Sequence, residues 1–198
     1  MEEDDVTMER TDGELLDAYR AGDVAALEEM VQRYRRPLFG YILNMIGQTE
    51  EADEVFQEVW FRAIRNLGRY REQNFPGWLM RIAHNLVIDR GRRKKPDLSL
   101  DAETADDHPL IEQIADKGRD PAANLAASDV GRWIGEAVAL LPEEQKAVFL
   151  MRVEAGLSFK EIAKVQKVSI NTALARMQYA LAKLRPMLTD HYAALGRA

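Results

Sequence analysis

The hydrophobic residues of this chain recur at the spacing of α-helices, and the alternation typical of β-strands is missing. Large apolar side chains stand three and four positions apart, which places them on one face of a helix. The segments with this spacing span residues 15–19, 26–46, 55–67, 78–88, 134–141, 147–153 and 162–184. The pattern therefore predicts an all-α protein.

Residues that end helices separate these segments. Glycine and proline, the strongest helix-ending residues, lie between them as Gly22, Gly47, Gly68, Pro76-Gly77, Pro96, Pro142 and Gly156. Ser158 and Glu161 form the S-x-x-E capping box of a helix start. Pro142, followed by Glu143 and Glu144, suits another first turn, because proline loses no needed hydrogen bond there and carboxylates favour the positive end of the helix dipole.

A segment rich in proline and aspartate divides the chain. Residues 96–126 contain Pro96, Pro109 and Pro121 and few large apolar side chains. Such a composition buries too little apolar surface to offset the entropy lost on ordering the backbone. We therefore predict two small helical domains, at 10–95 and 127–190, that are joined by an acidic flexible linker.

The net charge of -6 is unevenly distributed along the chain. Residues 62–96 carry 10 lysines and arginines against 2 acids, and residues 130–198 carry 10 against 6. Residues 1–33 and 97–129 are acidic, with 11 acids against 3 bases and 9 against 2. The basic segments can each follow a phosphate backbone, while the acidic segments weaken non-specific DNA binding. We therefore expect the free chain to bind DNA weakly and to need a partner.

Composition and motifs exclude several classes of function. The 198 residues include no cysteine, which removes disulfides, thiolate metal sites and thiol redox chemistry. No apolar run approaches the roughly 20 residues that span a bilayer, and the acidic N-terminus is unlike a signal peptide. His84, His108 and His191 lie far apart, and no phosphate loop or nucleophile motif is present. We therefore predict a cytoplasmic protein without enzymatic activity, metal or cofactor.

Aromatic and cationic residues are concentrated between residues 75 and 95. Phe75 and Trp78 precede the cations Arg81, Arg90, Arg92, Arg93, Lys94 and Lys95, with Asp89 as the one acid among them. Aromatic rings can stack on unpaired bases while cations hold phosphates, so the segment suggests contact with single-stranded nucleic acid. In the alternative reading, the apolar residues belong to the core and the cations only solubilise a helix end.

A second candidate nucleic-acid element follows the linker. Residues 158–176 have the length and apolar spacing of a helix-turn-helix, in which the second helix enters the major groove of DNA. A plain helix-turn-helix regulator would explain residues 127–185 but would leave the aromatic and basic segment at 69–95 unexplained.

Three motifs in this order resemble the extracytoplasmic-function (ECF) group of sigma-70 factors. They are the run 52–58 (ADEVFQE), the set from Phe75 to Arg93, and Leu141-Pro142 followed by the helix-turn-helix. The resemblance implies a region 2 domain, a linker and a region 4 domain in a promoter-specificity subunit of bacterial RNA polymerase. Its implied partners are core RNA polymerase, through the β′ clamp helices and the β flap, promoter DNA and an anti-sigma factor, with no insertion into a membrane.

The resemblance also assigns roles to individual residues. Polymerase binding falls to Asp53, Glu54, Gln57 and Glu58, on a helix that the residues alone describe only as amphipathic. Contact with the -10 element falls to Tyr70, Phe75, Trp78, Arg81, Asn85, Arg90, Arg92, Arg93 and Lys94. Contact with the -35 element falls to Lys167, Asn171, Thr172, Arg176, Gln178, Lys183 and Arg185.

The helix-turn-helix departs from the family pattern at three positions. Lys167 replaces the usual turn glycine, and a left-handed backbone there costs a non-glycine residue about 1 kcal/mol. Leu174 and Ala175 stand where the family commonly has a lysine and a serine. The lost cation leaves one further alternative open, a sigma-like decoy that sequesters an anti-sigma factor without binding DNA, although the retained basic cluster at 90–95 argues against it.

Overall fold

The computed structural model describes residues 10–71, 74–94, 131 and 134–195, and all regular secondary structure in these residues is helical. The helices are α1 (Asp12–Arg20), α2 (Val24–Ile46), α3 (Thr49–Leu67), α4 (Phe75–Lys94), α5 (Glu143–Val153), α6 (Phe159–Gln166) and α7 (Ile170–Leu195). A further helical segment covers 134–139. The all-α prediction is confirmed, whereas the predicted linker at 96–126 lies outside the described residues.

Capping residues start the helices as their chemistry requires. The Ser158 hydroxyl accepts a hydrogen bond from the Glu161 backbone N–H at 3.3 Å, and the Glu161 carboxylate accepts one from the Ser158 N–H at 2.6 Å. This confirms the predicted capping box of α6. Thr11 and Glu14 form a second box at α1, which the sequence analysis did not identify. Pro142 directly precedes α5, whose first turn contains Glu143 and Glu144 as predicted.

Two helix limits differ from the sequence prediction. Pro76 and Gly77, taken as an interruption, lie inside the first turn of α4, where a proline costs no hydrogen bond. Asn74 promotes this start, because its side-chain oxygen accepts a 3.1 Å hydrogen bond from the Gly77 N–H. At the other end of the chain, α7 continues through Pro186 to Leu195 instead of ending near residue 184.

The helices form two groups, α1–α4 and α5–α7, which pack against each other. Within the first group, α2 packs against α1, α3 and α4, and within the second, α7 packs against α5 and α6. Between the groups, α4 packs against α6 and α2 against α5, so the buried side chains form one contiguous core. The region that was predicted to bind single strands therefore lies beside the helix-turn-helix. No helix among the described residues is long and apolar enough to cross a lipid bilayer.

Candidate nucleic-acid interface

An open pocket of about 440 Å³ lies where the end of α3 meets α4. Its lining combines cations, side-chain amides and aromatic rings: Arg62, Asn66, Arg69, Tyr70, Arg71, Trp78, Ile82 and Asn85. Cations can neutralise phosphates, amides can pair with base edges, and rings can stack on bases. The pocket therefore has the chemistry to hold one unstacked nucleotide, and it brings the predicted residues Tyr70, Trp78 and Asn85 together.

Four residues of this pocket were not singled out from the sequence. They lie on α3 or directly after it and are Arg62, Asn66, Arg69 and Arg71. The sequence feature that could have identified the three arginines is the basic block that begins at residue 62. The Arg71 guanidinium donates to the backbone carbonyls of Gly68 at 3.0 Å and Tyr70 at 2.8 Å. These bonds hold the cation at the pocket wall.

An aromatic cluster supports the pocket from behind. Phe75 is 1% exposed, and its ring lies 5.4 Å from Tyr34, 5.7 Å from Tyr70 and 5.6 Å from Trp78, measured between centroids. The ring of Phe75 is therefore a core group, and the prediction that it offers an aromatic surface to DNA needs revision. Tyr70 is also buried and reaches the site as part of the pocket lining. Trp78 is half-buried, with its ring 4.8 Å from that of Tyr70.

The cations of the predicted basic cluster at the end of α4 differ in whether they are paired with carboxylates. Arg90 forms an ion pair with Glu54, and its Nε lies 3.8 Å from a carboxylate oxygen of Glu51. Arg92 and Arg93 are exposed, as is Asn85, while Arg81 is half-buried. The side chain of Lys94 lies outside the described residues. Free access to phosphate is therefore best at Arg92 and Arg93.

The outer face of α3 carries the predicted polymerase-binding residues. Asp53, Glu54 and Gln57 are exposed, and Glu58 is half-buried with its carboxylate 2.6 Å from Arg62. The same face also exposes Phe61, at 55%, and Ile64. Neither Phe61 nor Ile64 was singled out from the sequence, because apolar residues cover more than half of the circumference of α3. We call the surface formed by residues 53, 54, 57, 58, 61 and 64 the α3 outer face.

The turn of the helix-turn-helix is built without glycine. Lys167 ends α6 with φ 56° and ψ 43°, the left-handed conformation, and it is the one non-glycine residue with positive φ among the described residues. The Ser169 hydroxyl then caps α7, accepting a 3.0 Å hydrogen bond from the Thr172 N–H. The turn thus keeps its standard geometry at the strain cost that the sequence analysis anticipated.

The predicted -35 residues differ in how far they are exposed to solvent. Asn171, Gln178, Lys183 and Arg185 are exposed, as is Lys167 in the turn, while Thr172 is half-buried. The side chain of Arg176 is 18% exposed and bound by Glu144, and its Nη1 donates a 2.9 Å hydrogen bond to the Gln166 carboxamide. Arg176 therefore fastens α7 to α5 and α6 and is poorly placed to reach a base.

A half-buried histidine lies between the two groups of helices. His84 of α4 has Nδ1 2.8 Å from the hydroxyl of Tyr41 on α2. Burial, and then the positive charge of Arg176, lower the pKa of His84 to about 4. Burial also raises the pKa of Tyr41. The imidazole is therefore neutral at physiological pH, so its Nδ1 can accept a hydrogen bond from the Tyr41 hydroxyl.

Two family models match the chain. Residues 30–96 match sigma-70 region 2, and residues 131–184 match sigma-70 region 4. The first match covers α3, α4 and most of α2, with the pocket between them. The second covers the helix-turn-helix and α5.

Curated relatives align over almost their whole length. The ECF RNA polymerase sigma factor SigW of Bacillus subtilis is 31% identical over 174 residues, covering 86% of this chain and 93% of the relative. The RNA polymerase sigma-H factor of Pseudomonas aeruginosa is 29% identical over 192 residues, covering 90% and 96%.

Solved structures share the fold. CnrH in complex with the cytosolic domain of CnrY superposes with a TM-score of 0.62 at 21% identity, covering 89% of this chain and 96% of that one. The sigma factor RpoE in complex with the anti-sigma factor NepR from Bartonella quintana gives 0.59 at 17% identity, covering 84% and 98%.

Proposed function

The chain belongs to the ECF group of the sigma-70 family of RNA polymerase sigma factors, and on that basis we propose how its surfaces divide the work of initiation. The α3 outer face binds core RNA polymerase at the β′ clamp helices. The pocket between α3 and α4 captures an unstacked base of the -10 element. The helix-turn-helix binds the -35 element, while its domain contacts the β flap.

The pocket is the observation that carries this proposal. A promoter base can enter only after it has left the helical stack, and binding it there favours the melted state over the duplex. Arg69 and Arg71 would hold the adjoining phosphates, Asn66 and Asn85 would pair with the base edge, and Trp78 would stack on its face. The energy for melting then comes from binding and requires no nucleotide hydrolysis.

The α3 outer face supports the assignment to polymerase. Phe61 supplies exposed apolar area, and Asp53, Glu54 and Gln57 surround it with polar groups. A central aromatic side chain with a polar rim is typical of protein–protein interfaces. Because α3 carries this face on one side and lines the pocket with Arg62 and Asn66, one helix connects polymerase binding to strand capture.

Partner regulation belongs to the same proposal. RpoE of Bartonella quintana was solved with an anti-sigma factor, and we extend this kind of partner to the present chain. Such a protein would compete with core polymerase for the chain.

Run-off transcription with sigma-free core polymerase tests the proposal. The templates carry randomised -10 and -35 segments, and sequencing the templates that yield RNA identifies the promoter. Adding the full chain should produce specific transcripts. Their absence from every template would overturn the proposed role in directing polymerase to promoters and would favour the decoy alternative.

The pocket is tested on the promoter so selected. Replacing Arg69 or Asn85 with alanine should lower transcription from duplex templates and do so much less on templates whose -10 segment is already unpaired. Arg36→Ala is the matched control, because Arg36 is an exposed arginine of α2 that does not line the pocket. Equal losses on duplex and unpaired templates would show that the pocket has no part in melting.

A further inference from the structure

The outward face of α7 is unexpectedly apolar for a helix that enters a DNA groove. Ile170 is 45% exposed, Leu174 37% and Leu181 42%. The adjacent side of α7 packs into the core through Ala173, Ala180 and Leu184, and Ile170, Leu174 and Leu181 flank this buried side and remain partly open to solvent. Exposed apolar side chains on this face can contribute to binding, since their contact with a partner removes apolar surface from water.

Leu174 lies between two side-chain amides on that face. Residues three and four apart are neighbours on one side of a helix, so Leu174 lies one turn from both Asn171 and Gln178. All three residues are exposed. The helical rise of about 1.5 Å per residue separates residues 171 and 178 by roughly 10 Å, close to three base steps of about 3.4 Å each. The three side chains can therefore contact neighbouring base pairs.

The chemistry of these side chains selects particular bases. Asparagine and glutamine match the donor and acceptor pair of adenine in the major groove, whereas an apolar side chain matches the 5-methyl group of thymine. Arg176, the one cation near this position, is turned inward and held by Glu144 and Gln166. Lys167 and Arg185 are exposed at the two ends of this surface, where cations can hold phosphates.

We propose that Leu174 is a specificity-determining residue that reads the 5-methyl group of a thymine in the -35 element. This inference rests on the proposed function and deepens it, because it names the base chemistry that the helix-turn-helix selects. The element recognised by this chain then contains an A·T pair opposite Leu174, in the second turn of α7. A chain with a cation at this position would select differently, because lysine and arginine pair with guanine.

Methyl deletion in the DNA tests the inference directly. Deoxyuridine differs from thymidine only in lacking the methyl group, so each thymine of the selected -35 element, on either strand, is replaced in turn. With the unaltered chain and core polymerase, one replacement should lower promoter affinity about fourfold, the ratio expected for losing one buried methyl group. This arm needs no protein variant.

The matching protein change is Leu174→Ala. It should lower affinity for the thymine template by a similar factor and abolish the sensitivity to deoxyuridine. Leu174→Ala combined with the deoxyuridine replacement should then reduce promoter affinity no more than either change alone. Leu174→Arg should shift the selected base at that position towards guanine. Leu140→Ala is the control, because Leu140 is an exposed leucine outside α7.

The outcomes separate this inference from the proposed function. If no template yields RNA, the proposed function fails. If RNA is made but no thymine methyl matters, or if Leu174→Ala stays sensitive to deoxyuridine, only the role of Leu174 fails. An equal loss from Leu174→Ala on thymine and deoxyuridine templates would assign this side chain to a protein partner instead and would also overturn the inference.

Discussion

The side-chain amide of Asn74 donates a 2.6 Å hydrogen bond to Oε1 of Glu161, which lies 87 residues further along the chain. Each partner also starts a helix, since Asn74 accepts from the Gly77 N–H and Glu161 accepts from the Ser158 N–H. The bond therefore joins the first turn of α4, in region 2, to the first turn of α6, in region 4. Disturbing either cap should affect the contact between the two regions.

Gly77→Ala should disrupt this pair. A Cβ at residue 77 would lie 2.4 Å from Nδ2 of Asn74, so the asparagine must turn away and lose both its cap and its bond to Glu161. We expect a loss of about 1 kcal/mol in the free energy of unfolding, measured by urea denaturation, as for other lost N-caps. Gly68→Ala is the control, because a Cβ there meets nothing within 4 Å. If adding Asn74→Ala to Gly77→Ala lowered the free energy of unfolding by about 1 kcal/mol more, this mechanism would be contradicted.

Lys167→Gly should stabilise the chain. Lys167 adopts φ 56°, which glycine reaches without the steric cost of a Cβ, so the free energy of unfolding should rise by about 1 kcal/mol. Lys164→Gly is the opposite control, since Lys164 lies within α6 and glycine there should destabilise by roughly the same amount. Urea denaturation measures both. If Lys167→Gly lowered the free energy of unfolding, the Lys167 side chain would stabilise the fold by more than its left-handed backbone destabilises it.

Stability should fall as the pH drops from 6.5 towards 4. The pKa of His84 is lowered from 6.5 to about 4, so the unfolded chain binds a proton in this range that the folded chain does not. The contribution of His84 is complete above pH 6.5 and is lost on acidification to about pH 4, by at most about 3 kcal/mol. The measurement is the free energy of unfolding against pH, compared with His84→Gln. Parallel curves for the two proteins would refute the assignment.

Asp53 and Gln57 should affect polymerase binding without affecting folding. Both are exposed, so alanine at each should change the free energy of unfolding by no more than about 0.5 kcal/mol, while association with core polymerase falls. Phe61→Ala should weaken association further, because an exposed aromatic side chain is a typical binding hot spot. Glu28→Ala, an exposed acid on α2, is the control. Unchanged pull-down of core polymerase by the triple variant would exclude this face.

Arg176 and Gln178 should behave differently on paired promoters. Arg176→Ala removes contacts to Glu144 and Gln166, so it should lower stability and reduce transcription equally on intact and scrambled -35 elements. Gln178→Ala should reduce transcription only on the intact element, since a base contact discriminates by roughly 1–3 kcal/mol. Run-off transcription and thermal melting of both variants check this. If Arg176→Ala reduced transcription only on the intact -35 element, Arg176 would contact a base after all.

The sequence by itself determined the helices and the broad chemistry of the site. Helical periodicity, the Ser158–Glu161 box and the strain at Lys167 are local properties, because the groups involved lie within one or two turns of each other. The basic block at 62–96 and the order of the motifs likewise identified the family without coordinates. The sequence did not set the limits of α4 and α7, since Pro76 and Pro186 are tolerated where neighbouring contacts hold the helix.

Only the tertiary structure decided which side chains face the solvent and which meet across the chain. Phe75 and Arg176 have the right chemistry for DNA, but packing turns one into the core and the other towards Glu144. Arg69 and Arg71 reach the pocket only because α3 ends beside α4. Contacts such as Asn74–Glu161 depend on how apolar faces from distant segments fit together, and the spacing of residues along one helix carries no information about that fit.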